Sequence, residues 1–269
     1  MSRSRLVMAL IVAVIAVIGY FSKSAFNPIT EEKQHVAGIT PEQEVALGLQ
    51  AAPEMMQQFG GPDPDPEAQA LVRRVGERVV SRTAAAQSPY RFEFHLLDDP
   101  KTINAFALPG GQVAITEGLL RKLETEGQLA GVLGHEIGHV VARHGAEHIA
   151  KQQLTEGLTG AAVLATYDPN NPSSRGSAAV AAMIGQLVGM RFGRQDELES
   201  DELGVRFTSE AGYDPRSMTG LMKILNESSE GGRPPEFFST HPNPENRVQR
   251  IEAAIKERYP DGVPSGLEK

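Results

Sequence analysis

Five consecutive residues, His135-Glu136-Ile137-Gly138-His139, combine residue types and spacing that can do hydrolytic chemistry. Four residues is just over one helical turn, so on a helix both imidazoles leave the same face and can grip one metal ion. Glu136 sits beside the first histidine, placed to take a proton from a water that the metal activates. This pattern implies metal-assisted hydrolysis of a peptide bond, with zinc as the metal. A catalytic zinc needs three protein ligands and one open position, so two histidines leave one ligand to be found.

A helix must carry the motif, and the flanking residues predict one. Thr125-Glu126-Gly127-Gln128 has the spacing of a capping box, with Thr125 as N-cap and Gln128 reaching back. Leu129, Val132, Leu133, Ile137, Val140 and Val141 follow, most of them on one stripe at helical spacing. The run is expected to continue through Ala142 and Ile149 to about Leu154. Charge buried in so apolar a helix needs a partner, and a divalent cation supplies it. Gly at 142 and His at 145 would complete the metzincin pattern, but the chain has Ala142 and Gly145. His144, nine residues after His135, points about 180° away at ~100° per residue, so His144 and His148 read as surface or packing residues. A better source of the third ligand is the acidic stretch Arg194 to Gly204, where Glu197 and Asp201 lie four apart on one face of a second helix.

H-E-x-x-H followed by E-x-x-x-D resembles the gluzincin arrangement. That resemblance implies Glu197 as the third zinc ligand beside His135 and His139, and Asp201 as the group that orients His135 through its other ring nitrogen. More of the chain resembles the metallopeptidases of family 48, the group containing BepA-like, HtpX-like and CAAX prenyl proteases. The matching blocks are Asn104-Ala-Phe-Ala-Leu-Pro-Gly-Gly111, Gly134 through His144, Arg194 through Gly204, Ala211-Gly-Tyr-Asp-Pro215 and Ser239-Thr-His-Pro-x-Pro-x-x-Arg247. They stand in the family's order across about residues 90–255. The subgroup that fits best is that of the periplasmic BepA-like and mitochondrial inner-membrane stress proteases. The BepA-like pattern continues into a helical repeat domain, whereas this sequence ends at Lys269, so nothing that domain does is expected here.

The resemblance also brings His241 near the metal. Two roles are open for it: a fourth ligand that acts as a latch, or a donor that stabilises the oxyanion. Asn243 and Pro244 read as N-cap and N1 of the next helix, whose first turns would hold Arg247, a catalytic candidate able to reach the acidic site. Upstream, Tyr90 to Leu97 alternates as a half-buried strand does. Asn104 to Leu108 and Gln112 to Thr116 read as two more strands around Pro109-Gly110-Gly111. In resembling proteases this region is an edge strand, which implies that Asn104, Ala105, Phe106, Ala107 and Leu108 bind an extended substrate through main-chain hydrogen bonds. That mode needs little side-chain selectivity and suits unfolded protein substrates.

At 269 residues the chain can bury one enzyme domain. A formal charge of -8 argues against nucleic acid as a partner. The absence of cysteine excludes disulfides, thiol catalysis and cysteine-ligated zinc. Arg3 and Arg5 precede an uncharged, mostly apolar run from Leu6 to Ser22, slightly short of the ~20 residues that span a bilayer and long for a signal-peptide core. An uncleaved signal anchor is favoured, with a cleaved signal as the alternative. Either places the catalytic domain outside the cytoplasm, which the resemblance refines to a bacterial inner membrane and its periplasmic face.

Residues 1–22 thus read as anchor, 23–39 as tether, 40–258 as a zinc metallopeptidase domain and 259–269 as tail. Helices are expected from Thr40-Pro41 to about Gln58, then to about Ala85, from Asp214-Pro215 to about Asn226 and from Pro244 to about Arg258. Packing helices are expected at 158–165 and 178–188 around a loop at 167–176. The fold class is α+β, mostly helical and zincin-like, with a small sheet beside the active-site helix. The function expected is one zinc-dependent endopeptidase site acting on misfolded or unassembled envelope proteins. The rivals are a chaperone or assembly factor whose latched site rarely cuts, and a structural zinc domain.

Overall fold

The computed structural model describes residues 3–22, 24–36, 38–154, 191–229, 234–243 and 246–269. The packing helices and loop expected between 158 and 188 lie outside these residues. The first helix, α1 (Arg3–Ser22), is formed by the apolar run, with its side chains described from Val7 onward. No helix of the described residues is long and apolar enough to cross a membrane. Where the sequence reads as a tether, strands β1 (Ala25–Asn27) and β2 (Glu32–Gln34) pair as an antiparallel hairpin. Asn27 and Ile29 are buried there, so the hairpin is part of the domain.

Helix α2 (Pro41–Gln58) starts as its residues dictate: Thr40 and Gln43 form a complete capping box, with Pro41 at the first position. Helix α3 (Pro66–Ser81) is capped by Asp65, ends four residues earlier than expected, and is followed by a short 3-10 turn, Ala84–Gln87. Strands β3 (Glu93–Leu97), β4 (Ala105–Leu108) and β5 (Gln112–Thr116) form one sheet in the order β3-β5-β4. β3 runs parallel and β4 antiparallel to β5, which leaves β4 at the edge, as the family resemblance implies. The β4–β5 turn needs its glycines: Gly110 has φ +83°, and a Cβ there would lie 2.4 Å from the Val45 Cα of α2.

After the one-turn α4 (Glu117–Leu120) comes the motif helix, α5 (Glu126–Val141), buried from Gly127 to Val141. Thr125 caps it by accepting from the Gln128 N–H at 3.2 Å, while the Gln128 side chain accepts from the Glu124 N–H instead of reaching back to the cap. The helix does not run on to Leu154. It stops at Ala142, Arg143 takes a left-handed conformation (φ 58°), and a new helix α6 begins at 144 and is described to 154. The β1–β2 hairpin covers the broken end: Asn27 donates to the Val141 carbonyl at 2.7 Å and Gln34 to that of Ala142. Carbonyls that a helix end leaves without partners are thereby satisfied.

Helix α7 (Arg194–Glu210) lies against α5, and small residues set how closely. A Cβ on Gly138 would meet the Ser200 Cα at 3.2 Å, and one on Gly204 would meet the His135 N at 3.3 Å. Helices α8 (Arg216–Glu227), α9 (Phe237–Thr240) and α10 (Arg247–Arg258) complete the described fold. α10 starts later than expected, at Arg247 after Asn246 (φ 68°), and Asn243 donates to the Asn226 side chain instead of capping. Pro244 lies outside the described residues. The tail, 259–269, is docked at its end, where Asp214 N–H donates to the Glu268 carbonyl at 2.7 Å and Glu268 N–H to that of Gly212 at 3.0 Å. The main core packs α3, α5, α7, α8 and α10 on one another and on the sheet through Leu96, Ile115, Leu133, Ile137, Phe207 and Met218.

Candidate active site

The face of α5 that carries the motif looks at α7 and at the residues following α9. His135, Glu136, His139, Glu197 and His241 are each at most 2% exposed. His135 Nε2 lies 3.1 Å from His139 Nε2, 3.6 Å from a Glu197 oxygen and 3.4 Å from His241 Nδ1. Glu197 Oε1 lies 3.4 Å from His139 Nε2 and 3.0 Å from His241 Nδ1. Four donors about 2.1 Å from a central zinc sit at tetrahedron corners about 3.4 Å apart. His135, His139, Glu197 and His241 therefore form a cluster able to hold one metal ion. Its unpaired atoms fit that reading. A Glu197 oxygen, both Glu136 oxygens and His241 Nε2 are buried with no hydrogen-bond partner, a costly arrangement for polar groups with nothing polar between them.

The charges around the cluster support it. Burial alone would raise the Glu197 carboxyl, but His241 and His139 hold it well below the usual carboxylate range, so it is anionic at neutral pH, as a metal ligand would need to be. Burial lowers His139 well below an ordinary histidine, which keeps it neutral with a free lone pair. Glu136 goes the other way. Burial pushes its carboxyl up, against the pull of His241 and His135, making it a better proton acceptor. Its Oε1 lies 3.5 Å from His241 Nε2.

Asp201, one turn along α7 from Glu197, accepts from His135 Nδ1 at 2.9 Å. Arg247 grips the same carboxylate with two bonds, Nε to Oδ2 at 2.7 Å and a terminal nitrogen to Oδ1 at 2.9 Å, and its other terminal nitrogen lies 3.3 Å from Glu197. Arg247 is thus behind the ligands rather than across from Glu136, a different place from that expected of a catalytic group. Burial opposes its charge, yet Asp201 and Glu197 raise its pKa.

The edge strand meets the site on one side. Phe106, Ala107, Leu108 and Pro109 share an apolar cavity of about 30 Å³ with His139 and His241. Asn104 and Ala105 do not line it. Asn104 is instead tied to β5, its N–H donating to Thr116 Oγ1 at 3.1 Å, and Ala105 is fully buried in the core. Two aromatic residues that sequence reasoning missed close the site: Phe192 stacks on His139 at 3.9 Å and Phe237 on His241 at 4.4 Å. Nothing in their spacing marks them. His144 was also misplaced, because the break at Arg143 turns it inward. It is 2% exposed, with Nδ1 2.9 Å from His139 Nδ1. His148 stays half-buried and pairs with Asp196 at 2.9 Å.

The profile of peptidase family M48 matches residues 66–255. The chain is similar to the beta-barrel assembly-enhancing protease of Escherichia coli (strain K12), 36% identical over 195 residues that cover 68% of this chain and 38% of that protein. It is also similar to the mitochondrial metalloendopeptidase OMA1 of Schizosaccharomyces pombe, 32% identical over 243 residues, 88% of this chain and 68% of that protein. The metalloendopeptidase OMA1 of Bos taurus is 32% identical over 173 residues, 60% of this chain and 32% of that protein. The chain spans well under half the length of the bacterial relatives it matches.

Proposed function

The chain belongs to peptidase family M48, whose members are zinc-dependent metallopeptidases, and on that premise we propose that it is an endopeptidase that cleaves misfolded or unassembled envelope proteins. One observation carries the reading: three donors, His135 Nε2, His139 Nε2 and Glu197, at tetrahedral spacing, with the proton-accepting Glu136 beside them. Zinc held there would supply the Lewis acidity that makes a water nucleophilic at neutral pH. Glu136 is placed to accept a proton from the attacking water and to return it to the departing amine. Asp201 holds the His135 ring by its Nδ1–H, and Arg247 braces Asp201 as a positioning residue. The free edge of β4 at Phe106 to Leu108 offers main-chain groups to an extended substrate. Substrates of this kind are supported by the names of the bacterial relatives.

Removal of the metal tests the reading. Cleavage of an unfolded casein should be abolished by a zinc chelator and return when zinc is added back. Cleavage indifferent to the chelator would rule out a metallopeptidase.

A second reading, an assembly factor whose site is held shut, is favoured by His241, whose Nδ1 occupies the fourth corner of the cluster. The two readings combine as a latent protease. There the corner needed by water is filled until His241 withdraws. Replacing His241 with Ala should then raise casein cleavage by the zinc-loaded enzyme. A fall of roughly 10²–10³-fold would instead make His241 an oxyanion donor.

For location, we infer that the apolar run 6–22, although the described part of α1 falls short of a full span, anchors the chain at a bacterial inner membrane, with the catalytic domain in the periplasm or, if the segment is cleaved, released there. Support comes from the exposed Val7, Leu10, Ile11, Ile15 and Ile18 and from Arg3 and Arg5 before them. A reporter fused after Lys269 should be active only when its function requires export. Activity confined to a cytoplasmic reporter would refute the orientation.

A further inference from the structure

We propose that His144, backed by Glu199, is a positioning residue that fixes the ring of His139, so that the two zinc-binding histidines are oriented by different devices. The proposal rests on the metal-site reading above. His135 has a carboxylate directly on its Nδ1, at 2.9 Å. His139 has none. Its Nδ1 faces His144 Nδ1 at 2.9 Å, and His144 Nε2 faces Glu199 Oε2 at 3.1 Å.

With Glu199 ionised and His144 uncharged, one arrangement of protons satisfies this chain of contacts and leaves His139 Nε2 free to bind a metal. Glu199 as a carboxylate can only accept, so His144 Nε2 carries the hydrogen and donates. A neutral His144 then has its lone pair at Nδ1, where it accepts from His139 Nδ1–H. That leaves the His139 lone pair on Nε2, the nitrogen that faces His135 Nε2 and Glu197. The carboxylate at the far end thus sets the tautomer of two rings in series and aims the second at the metal. Ser200 Oγ, 3.4 Å from His144 Nδ1, is at the long limit of a hydrogen bond and competes weakly for the same lone pair.

The fold goes out of its way to put His144 there. On a continuous helix it would face away from His135. The left-handed turn at Arg143 redirects it, and Arg143 is held in that turn by its Nε–H donating to the buried Glu44 at 2.8 Å and a terminal N–H donating to the Ile39 carbonyl at 2.7 Å. Tyr90 donates to the other Glu44 oxygen at 2.8 Å. Phe192, stacked on His139, closes the ring's other face.

The test is zinc affinity by competition with a metallochromic chelator, together with the melting temperature of the metal-stripped protein. His144→Phe keeps bulk but offers no acceptor. It should weaken zinc binding about 10–100-fold, the usual effect of losing such a partner, without a matching loss in the stripped protein's melting temperature. His144→Asn keeps an acceptor near the Nδ1 position and should restore most of the affinity. Parental affinity in His144→Phe, or a loss that Asn does not restore, would overturn the proposal by reducing His144 to packing. If His144→Phe does not fold, Glu199→Ala at the half-buried end of the relay decides, with about tenfold weaker binding expected, the low end for losing such a partner, and parental affinity overturning the idea. A parental protein that binds no zinc would remove the metal-site reading itself, a result distinguishable from failure of the relay alone.

Discussion

Replacing Glu136 with Gln leaves a protein that folds and retains zinc but cleaves unfolded casein at least about a hundredfold more slowly, the low end for loss of a general base. The amide has nearly the shape of the carboxylate, so the fully buried side chain keeps its packing. Neither Glu136 oxygen has a hydrogen-bond partner, so the change breaks no bond that holds the fold. Only the ability to accept a proton is removed. Burial pushes that acceptor up from the ordinary carboxylate range, toward the pH at which general-base catalysis works best. Elemental analysis of the purified variant should show the parent's zinc content, and turnover should be compared at equal zinc loading. Near-parental turnover under those conditions would mean that some other residue is the base. Loss of zinc in the variant would make Glu136 part of the metal site.

This part of the molecule was legible in the sequence because its chemistry is local. The spacing of His135 and His139 within one helical turn, and of Glu197 and Asp201 within another, survives any packing of the two helices. The cap at Thr40 and the turn at Gly110 and Gly111 were legible for the same reason, whereas the edge position of Ala105–Leu108 was implied only by the family resemblance. What was lost depends on long-range contacts. Ala142 and Ile149 continue an apolar helical pattern, but Glu44, 99 residues before Arg143, binds it and stabilises a backbone break that no local propensity favours. The tether became a hairpin because Asn27 and Gln34 find the last carbonyls of α5, more than 100 residues away. The tail is docked through backbone bonds of Glu268 and the pairing of its side chain with Arg78, 190 residues away, a partner that local spacing does not reveal. Arg247 was placed near the acidic site, but whether it faces substrate or supports Asp201 is a matter of approach direction, which spacing does not encode.

That direction has an energetic consequence. Arg247→Met should destabilise the fold by about 3–5 kcal/mol, the usual cost of removing one partner of a buried ion pair. Arg247 is 3% and Asp201 1% exposed, so neither charge is screened by solvent. Methionine fills most of the volume but leaves Asp201 without its two-pronged donor and Glu197 without the nearby guanidinium. Burial would raise the Asp201 carboxyl; Arg247 and His135 overcome this and hold it below the usual range. A group lowered in this way contributes stability that is fully present above its unfolded pKa and is lost as pH falls through the folded one. The gap between parent and variant in urea unfolding should therefore be widest near neutrality and close below about pH 4, where carboxylates of both states take up protons. Combining Arg247→Met with Asp201→Asn should recover part of the loss, because no unpaired charge is then left inside. A loss below about 1 kcal/mol at pH 7, the size expected of an exposed pair, would mean that Arg247 does not brace the site.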